Sequence, residues 1–171
     1  MKVIILAGGF GTCISEESVF KPKSIIEIGD KPVLWHIMKG YVTQGFNEFI
    51  ICAGYKQHVI KEWFAYYFLH TSDITFDYTN GDNEIIVHNK YIEHCKVTVV
   101  DNGLNIMTGG RIKRIYKYLG NEPFMLTYRD TVADINVHEL LEFHKSHGKI
   151  GTISVYNSKQ NKGVLDIEKM K

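Results

Sequence analysis

Val3, Ile4, Ile5 and Leu6 are an unbroken run of large apolar residues that leads straight into Ala7, Gly8 and Gly9. A strand with one wet face alternates apolar and polar side chains. This run does not, so it reads as a strand buried on both faces, the kind a parallel sheet covered by helices requires. Glycine ends it. Without a Cβ, the backbone can turn sharply and let another group come close. Such a turn can aim its amides at phosphate oxygens. On the glycines alone, a turn with no ligand is an equal reading.

The rest of the chain repeats the strand-then-helix alternation. "KPVLWHIMKGYVTQG" puts Val33, Leu34, Ile37, Met38 and Tyr41 at helical spacing, with Pro32 suited to the first helical position and Gly45 to the stop. "EFIICAG" reads as a second buried strand. "KQHVIKEWFAYYFLH" reads as a helix with Val59, Ile60, Trp63, Phe64, Tyr67 and Phe68 on one broad face. "SIIEI" is a short extended piece. "ITFDY" and "EIIVH" flank the polar turn "TNGDN" and predict a hairpin.

"KVTVVD" is a further strand, "GGRIKRIYKYL" a basic-faced helix, "PFMLTY" a buried strand, "VHELLEFHKSHGK" a helix and "IGTISVY" a strand. Asp134 stands where the cap of that last helix is expected. The tail "KGVLDIEKMK" begins another strand. This order predicts an α/β fold: one three-layer αβα sandwich over residues 1–171, Rossmann-like, with a mostly parallel sheet and one hairpin excursion.

Composition narrows the function classes. With 171 residues, 44% hydrophobic and 23% charged, the chain can bury a full core. The net charge of +1 gives no field for nucleic acid or anionic lipid, so any anion site must be local. No stretch is long enough to span a membrane, and the start lacks a signal-peptide pattern. Cys13, Cys52 and Cys95 are odd in number and widely spaced, which predicts reduced thiols and a cytoplasmic protein. His144 and His147 share a helix face without an evident third ligand, so a solvated pair is the better reading than a metal site.

Two nucleotide motifs fail on the opening loop. Counted from Gly9, the last glycine of the dinucleotide fingerprint falls on Ile14. Gly11-Thr12-Cys13 is not the Gly-Lys-Ser/Thr of a P-loop. A third pattern fits. "LAGGFGT", then "KPK", then "IGDKP" resembles the signature of sugar-1-phosphate nucleotidylyltransferases. "KPVLWHIMKGY", "FIICAGYK", "VIKEWFAYYFLH", "SDITF", "MTGGRIKRI" and "LLEFHKSHGK" resemble the glucose-1-phosphate cytidylyltransferases among them, from Met1 to about Asp166.

The resemblance implies CTP and glucose 1-phosphate as substrates, CDP-glucose and pyrophosphate as products, Mg²⁺ as cofactor and a homo-oligomer as the assembly. It implies that Leu6, Ala7, Gly8 and Gly9 place backbone beside cytosine and ribose. Gly11 and Thr12 would cradle phosphates, with Cys13 in the same loop. Lys23 would reach the reacting phosphates as a point charge; a surface lysine is the competing reading. Thr108 and Arg111 would lie near the nucleotide; a helix start carrying an exposed arginine is the alternative. Asp130, just past "PFMLTY", would hold the metal; otherwise it is a turn residue.

Three departures from the family pattern bear on turnover. Cys13 stands where the family has arginine, and a lost donor of this kind costs roughly 10²–10³ in rate. Arg129 and Thr131 replace glycines beside the metal aspartate. Arg129 either crowds phosphate approach or returns the charge that position 13 lacks. Family members also continue past residue 171, with much of the sugar pocket and a second metal aspartate. A slow enzyme, a non-catalytic CTP-binding or oligomer-forming module, and a remnant with neither ligand nor reaction are all open on these grounds.

Overall fold

A computed structural model describes residues 1–9, 22–79, 81, 84–88 and 94–155. The chain divides into two compact units, Met1–Asp134 and Ile135–Lys171.

The first unit is built on four parallel strands: β1 (Lys2–Ala7), β4 (Glu48–Ala53), β7 (Lys96–Asp101) and β8 (Phe124–Tyr128). Their spatial order is β7-β4-β1-β8. Of the three runs read as buried strands, β1 and β4 are the central pair; "PFMLTY" is corrected, because β8 ends the strand order and leaves Phe124, Leu126 and Tyr128 exposed among the described residues. The central pair aligns Val3 with Phe49 and Ala7 with Ala53, and β1 aligns Leu6 with Tyr128 of β8. After β1 the chain builds outward through β4 and β7, then crosses back to lay β8 on the other side of β1. The direction of winding therefore reverses between β1 and β8.

Strand periodicity sends alternate side chains of β1 to opposite faces. Val3, Ile5 and Ala7 join Leu34, Ile37 and Met38 of α1 (Val33–Val42) and Ile60 of α2 (Gln57–Ala65) in one core. Ile4 and Leu6 join Ile115 and Leu119, which flank and end α4 (Thr108–Arg114) and α5 (Tyr116–Leu119), in the other. Helices on both faces of a mostly parallel sheet give the expected three-layer α/β arrangement in this unit. The hairpin is also present: β5 (Asp73–Asp77) pairs antiparallel with β6 (Glu84–His88), apart from the main sheet.

Several expectations are corrected. The helix over residues 56–70 breaks at Tyr66, and α3 (Tyr67–Thr71) follows α2. The break leaves the Tyr67 hydroxyl accepting from Trp35 Nε1 of α1 at 2.9 Å. "SIIEI" is only partly extended: Lys23–Ile25 is a 3-10 turn, and β2 (Glu27–Ile28) pairs with β3 (Lys31–Pro32). Pro32 precedes α1 as its cap rather than opening it. The helix after Thr108 breaks at Ile115.

In the second unit, α6 (Val137–His147) is capped by Asn136, not Asp134. The Asn136 side chain accepts from the amides of His138 and Glu139 and donates to the Glu139 carboxylate at 2.8 Å, satisfying amides that a helix start leaves open. Residues 150–155 form no strand. His144 Nδ1 and His147 Nε2 both meet the Thr152 hydroxyl, at 2.9 and 2.8 Å, so the pair is engaged within the unit. The tail "KGVLDIEKMK" lies outside the described residues.

Candidate functional site

The carboxyl ends of the four parallel strands converge on three glycines. Gly8 follows β1, Gly54 follows β4 and Gly103 follows β7 by two residues. They approach so closely that a methyl on Gly54 would lie 2.7 Å from the Gly103 carbonyl and 2.8 Å from the Gly8 carbonyl. Gly54 has no positive φ, so the requirement for glycine there is one of space. A methyl on Gly8 would overlap the guanidinium of Arg111. The closeness of the first glycine turn to its neighbours is thus a packing fact.

Two buried arginines hold this turn. Arg111, on α4, is 6% exposed; its Nη2 donates to the Gly8 carbonyl at 2.8 Å and the Leu104 carbonyl at 3.2 Å. Arg129, at the end of β8, is 7% exposed; its Nη1 donates at 2.8 Å to both the Ala7 and the Gly9 carbonyls. Burial pulls both guanidinium pKa values down from their ordinary range. For Arg129 the neighbouring Asp130 charge opposes that shift and the Arg111 charge adds to it. Arg129 therefore lies in the field of Arg111, and Arg111 in that of Arg114, with partly desolvated positive charge around the glycine turn.

The end of β7 is pinned to α4. Asn102 is fully buried, its amide donates to the Ala53 carbonyl at 2.9 Å, and its Nδ2 donates to the Arg111 carbonyl at 2.9 Å. Arg114 Nη1 donates to the Asn102 carbonyl at 2.8 Å. The Asp101 carboxylate accepts from the Gly103 amide at 2.8 Å, which holds its pKa below the ordinary carboxylate range, with Gln57 helping. Behind the turn, burial pushes the Cys52 thiol up to about 11, so it stays protonated and inert at neutral pH.

The sequence-derived site residues are distributed as follows. Leu6 and Ala7 are core side chains, so only their backbone is available to a ligand. Gly8, Gly9, Arg111 and Arg129 are in direct contact, and Asp130 is exposed beside them. Thr108 opens α4 one turn before Arg111 and is half-buried. Arg111 is not the exposed helix arginine that was the alternative. Lys23 is not a surface lysine either: it is 8% exposed, in a turn packed against α1 and α2. Among the described residues, no hydrogen bond joins its side chain to the glycine turn. Gly11, Thr12 and Cys13 lie outside the described residues.

Sequence reasoning missed Gly54, Asn102, Gly103 and the carbonyl partners of Arg129, which it had placed beside the metal aspartate. A signal for the first three existed: each stands at or just past the end of a run read as a strand. A cavity of about 260 Å³ lies elsewhere, lined mainly by Trp35, Met38, Trp63, Phe64, Tyr67 and Val97. None of the residues read for nucleotide binding lines it. Converging polar groups at the strand ends, not apolar volume, locate the site.

Open parallel sheets receive ligands outside the carboxyl ends of their strands, where the winding reverses. The glycine turn, Arg129 and Asp130 occupy that position, the ligand-receiving end of an open α/β sheet. Residues 2–165 match the family model described as Nucleotidyl transferase, and the chain belongs to that family.

Its similarity to a glucose-1-phosphate cytidylyltransferase of Salmonella typhi is 51% identity over 98% of this chain and 65% of that protein. To a probable glucose-1-phosphate cytidylyltransferase of Bacillus subtilis it is 39% identical over the same shares. The chain thus spans about 65% of the length of these curated relatives. Among solved structures, HddC of Yersinia pseudotuberculosis complexed with GMP-PN matches with a TM-score of 0.59 at 25% identity, over 84% of this chain and 53% of that one. A UTP-bound UGPase of Acinetobacter baumannii matches at 0.60 and 14% identity, over 86% and 53%, which shows the fold alone. Among the described residues no helix is long and apolar enough to cross a membrane.

Proposed function

We propose that this chain is the nucleotide-binding part of a glucose-1-phosphate cytidylyltransferase, which joins CTP and α-D-glucose 1-phosphate into CDP-glucose and pyrophosphate. The observation that carries the reading is the 51% identity to the Salmonella typhi enzyme across 98% of this chain. The match to the family model runs unbroken through both compact units, which supports reading residues 1–171 as one nucleotidyltransferase-like domain.

In this reaction a sugar phosphate oxygen attacks the α-phosphorus of the nucleotide in line, and pyrophosphate leaves. Several negative charges must come together, so the protein works by positioning and by neutralising charge. The backbone from Leu6 to Gly9 would lie beside base and ribose. Gly11 and Thr12 would face the phosphates, with Cys13 in that loop. Thr108 would approach the nucleotide from α4. Lys23 would neutralise the transferred phosphoryl group. Arg111 would act on the nucleotide through the Gly8 carbonyl it holds.

A divalent metal fits this site in one respect. Asp130 is an exposed carboxylate at the β1–β8 reversal. That suits a hard cation such as Mg²⁺, which takes one or two carboxylates and completes its shell with phosphate oxygens and water. Asp130 would hold it, and its chemistry there is to neutralise charge on the phosphates.

The second reading is CTP binding without turnover. Arg129 favours it: its Nη1 is engaged by the Ala7 and Gly9 carbonyls instead of being left for a phosphate. We further place the protein in the cytoplasm, supported by the odd number and wide spacing of its cysteines. We also propose self-association, which the exposed Phe76, Tyr78 and Ile85 of the hairpin support.

Calorimetric titration with CTP and Mg²⁺, followed by a pyrophosphate-release assay with glucose 1-phosphate, tests these readings. Binding with release supports the enzyme. Binding without release supports the module. No binding at millimolar CTP removes both.

A further inference from the structure

We propose that Arg129 is a positioning residue that fixes the orientation of the first glycine turn for its anionic ligand. This rests on the reading that the turn receives a nucleotide.

One nitrogen, Arg129 Nη1, bridges the Ala7 and Gly9 carbonyls, the two that flank Gly8. The carbonyl between them, that of Gly8, is taken by Arg111. Three successive carbonyls are therefore fixed by two guanidiniums. No peptide bond in the described chain is cis. In a trans peptide the N–H points opposite to the preceding C=O. Holding the Ala7 carbonyl on Arg129 therefore turns the Gly8 amide away from Arg129. Holding the Gly8 carbonyl on Arg111 turns the Gly9 amide away from Arg111.

Glycine is the residue least able to keep such an orientation unaided, because its backbone has the widest choice of conformations. In this chain, where Arg129 stands in place of the family pattern's glycine, its guanidinium supplies an external tie for the two-glycine turn. Arg129 is suited to the task. Its side chain is almost wholly buried, its guanidinium is planar and permanently charged, and hydrogen bonds from a charged donor are the strong kind. It also reaches the turn from β8 across the point where the winding of the sheet reverses. Its terminal Nη2 lies 3.2 Å from where a methyl on Gly9 would sit, so the turn is packed on the guanidinium as well as bonded to it.

The test is chemical rescue. Arg129→Gly removes the side chain and leaves room for a free guanidinium ion. CTP affinity is measured by calorimetry with Mg²⁺ for the wild type, for Arg129→Gly, and for Arg129→Gly in tens of millimolar guanidinium chloride, with sodium chloride and urea as controls. Loss of the tie should weaken CTP binding by about ten- to a hundredfold, the effect of one charged hydrogen bond. Guanidinium, but neither control, should recover most of it. A protein that is merely destabilised would be weakened further by guanidinium, not rescued.

CTP affinity in Arg129→Gly within about twofold of the wild type, or a loss that guanidinium leaves unchanged, overturns the proposal. If Arg129→Gly does not fold, Arg129→Met, which keeps volume but no donor, takes its place in a second measurement: hydrogen exchange at the Gly8 and Gly9 amides without ligand. Exchange faster by tenfold or more supports the tie, and unchanged exchange refutes it. If the wild type itself binds no CTP, the nucleotide reading fails and this exchange measurement still judges the role of Arg129.

Discussion

Replacing Gly54 with alanine should destabilise the protein through space alone. The new methyl would lie 2.7 Å from the Gly103 carbonyl, 2.8 Å from the Gly8 carbonyl and 3.2 Å from Gly8 Cα. All three are backbone atoms at the ends of neighbouring strands, so none can swing aside as a side chain would. Relief requires the β1, β4 and β7 ends to spread.

Overpacking of this kind costs about 1–3 kcal/mol. Alanine also restricts the unfolded chain, which returns about 0.4–1 kcal/mol. A net loss near 1–2 kcal/mol corresponds to a fall in Tm of about 2–8 °C for a chain of this size.

Gly40→Ala is the matched control. Gly40 lies within α1, is exposed, and has nothing within 4 Å of the added methyl. The same chemical change there should raise stability by about 0.5–1 kcal/mol, since alanine is the better helix former. Calorimetric unfolding of both variants reads the two signs directly. A Gly54→Ala midpoint at or above that of the wild type, or shifts of the same sign in the two variants, would show that the strand ends do not approach as described. Because Gly8 is pushed by the same methyl, CTP affinity should fall in Gly54→Ala and stay constant in Gly40→Ala.

Two further outcomes follow from single residues. Asn136→Ala removes the acceptor for the His138 and Glu139 amides and should cost about 1 kcal/mol, read as a lower thermal midpoint and reduced helical signal from α6. Cys52 sets an alkaline limit: its thiol ionises near 9.0 when unfolded and near 11 when buried. Above pH 9 the unfolded chain releases a proton that the folded chain keeps. This contribution is therefore complete below pH 9 and is lost as pH rises toward 11, by up to about 2–3 kcal/mol. Denaturant unfolding across that range should fall more steeply for the wild type than for Cys52→Ala.

The frame of the site was legible because it depends on local pattern. A short apolar run without alternation that ends in glycine fits a strand buried on both faces, so β1 and β4 and the glycines ending them could be read directly. Arg111 was harder. It was counted with the basic face of its helix, although it shares a spacing of four with Ile115 and Leu119, both of which pack on the sheet. Position on that apolar face was the available sign of burial.

The carbonyl partners of Arg129 had no local sign. Its partners, Ala7 and Gly9, are 122 and 120 residues away in sequence and come within reach only through the pairing of β1 with β8. Residues 150–155 show the reverse failure. Their alternation fits a strand, but a strand also needs a ladder, and pairing is a tertiary property that side-chain pattern does not supply.

The most direct measurement is a titration of isotope-labelled protein with CTP and Mg²⁺, followed residue by residue through its backbone amide resonances. The account predicts saturable shifts centred on Gly8, Gly9, Gly54 and Gly103, with the exposed face of α1 around Gly40 unmoved. Saturation that leaves those four glycines in place, or shifts concentrated at the aromatic cavity near Trp35 and Trp63, would contradict it.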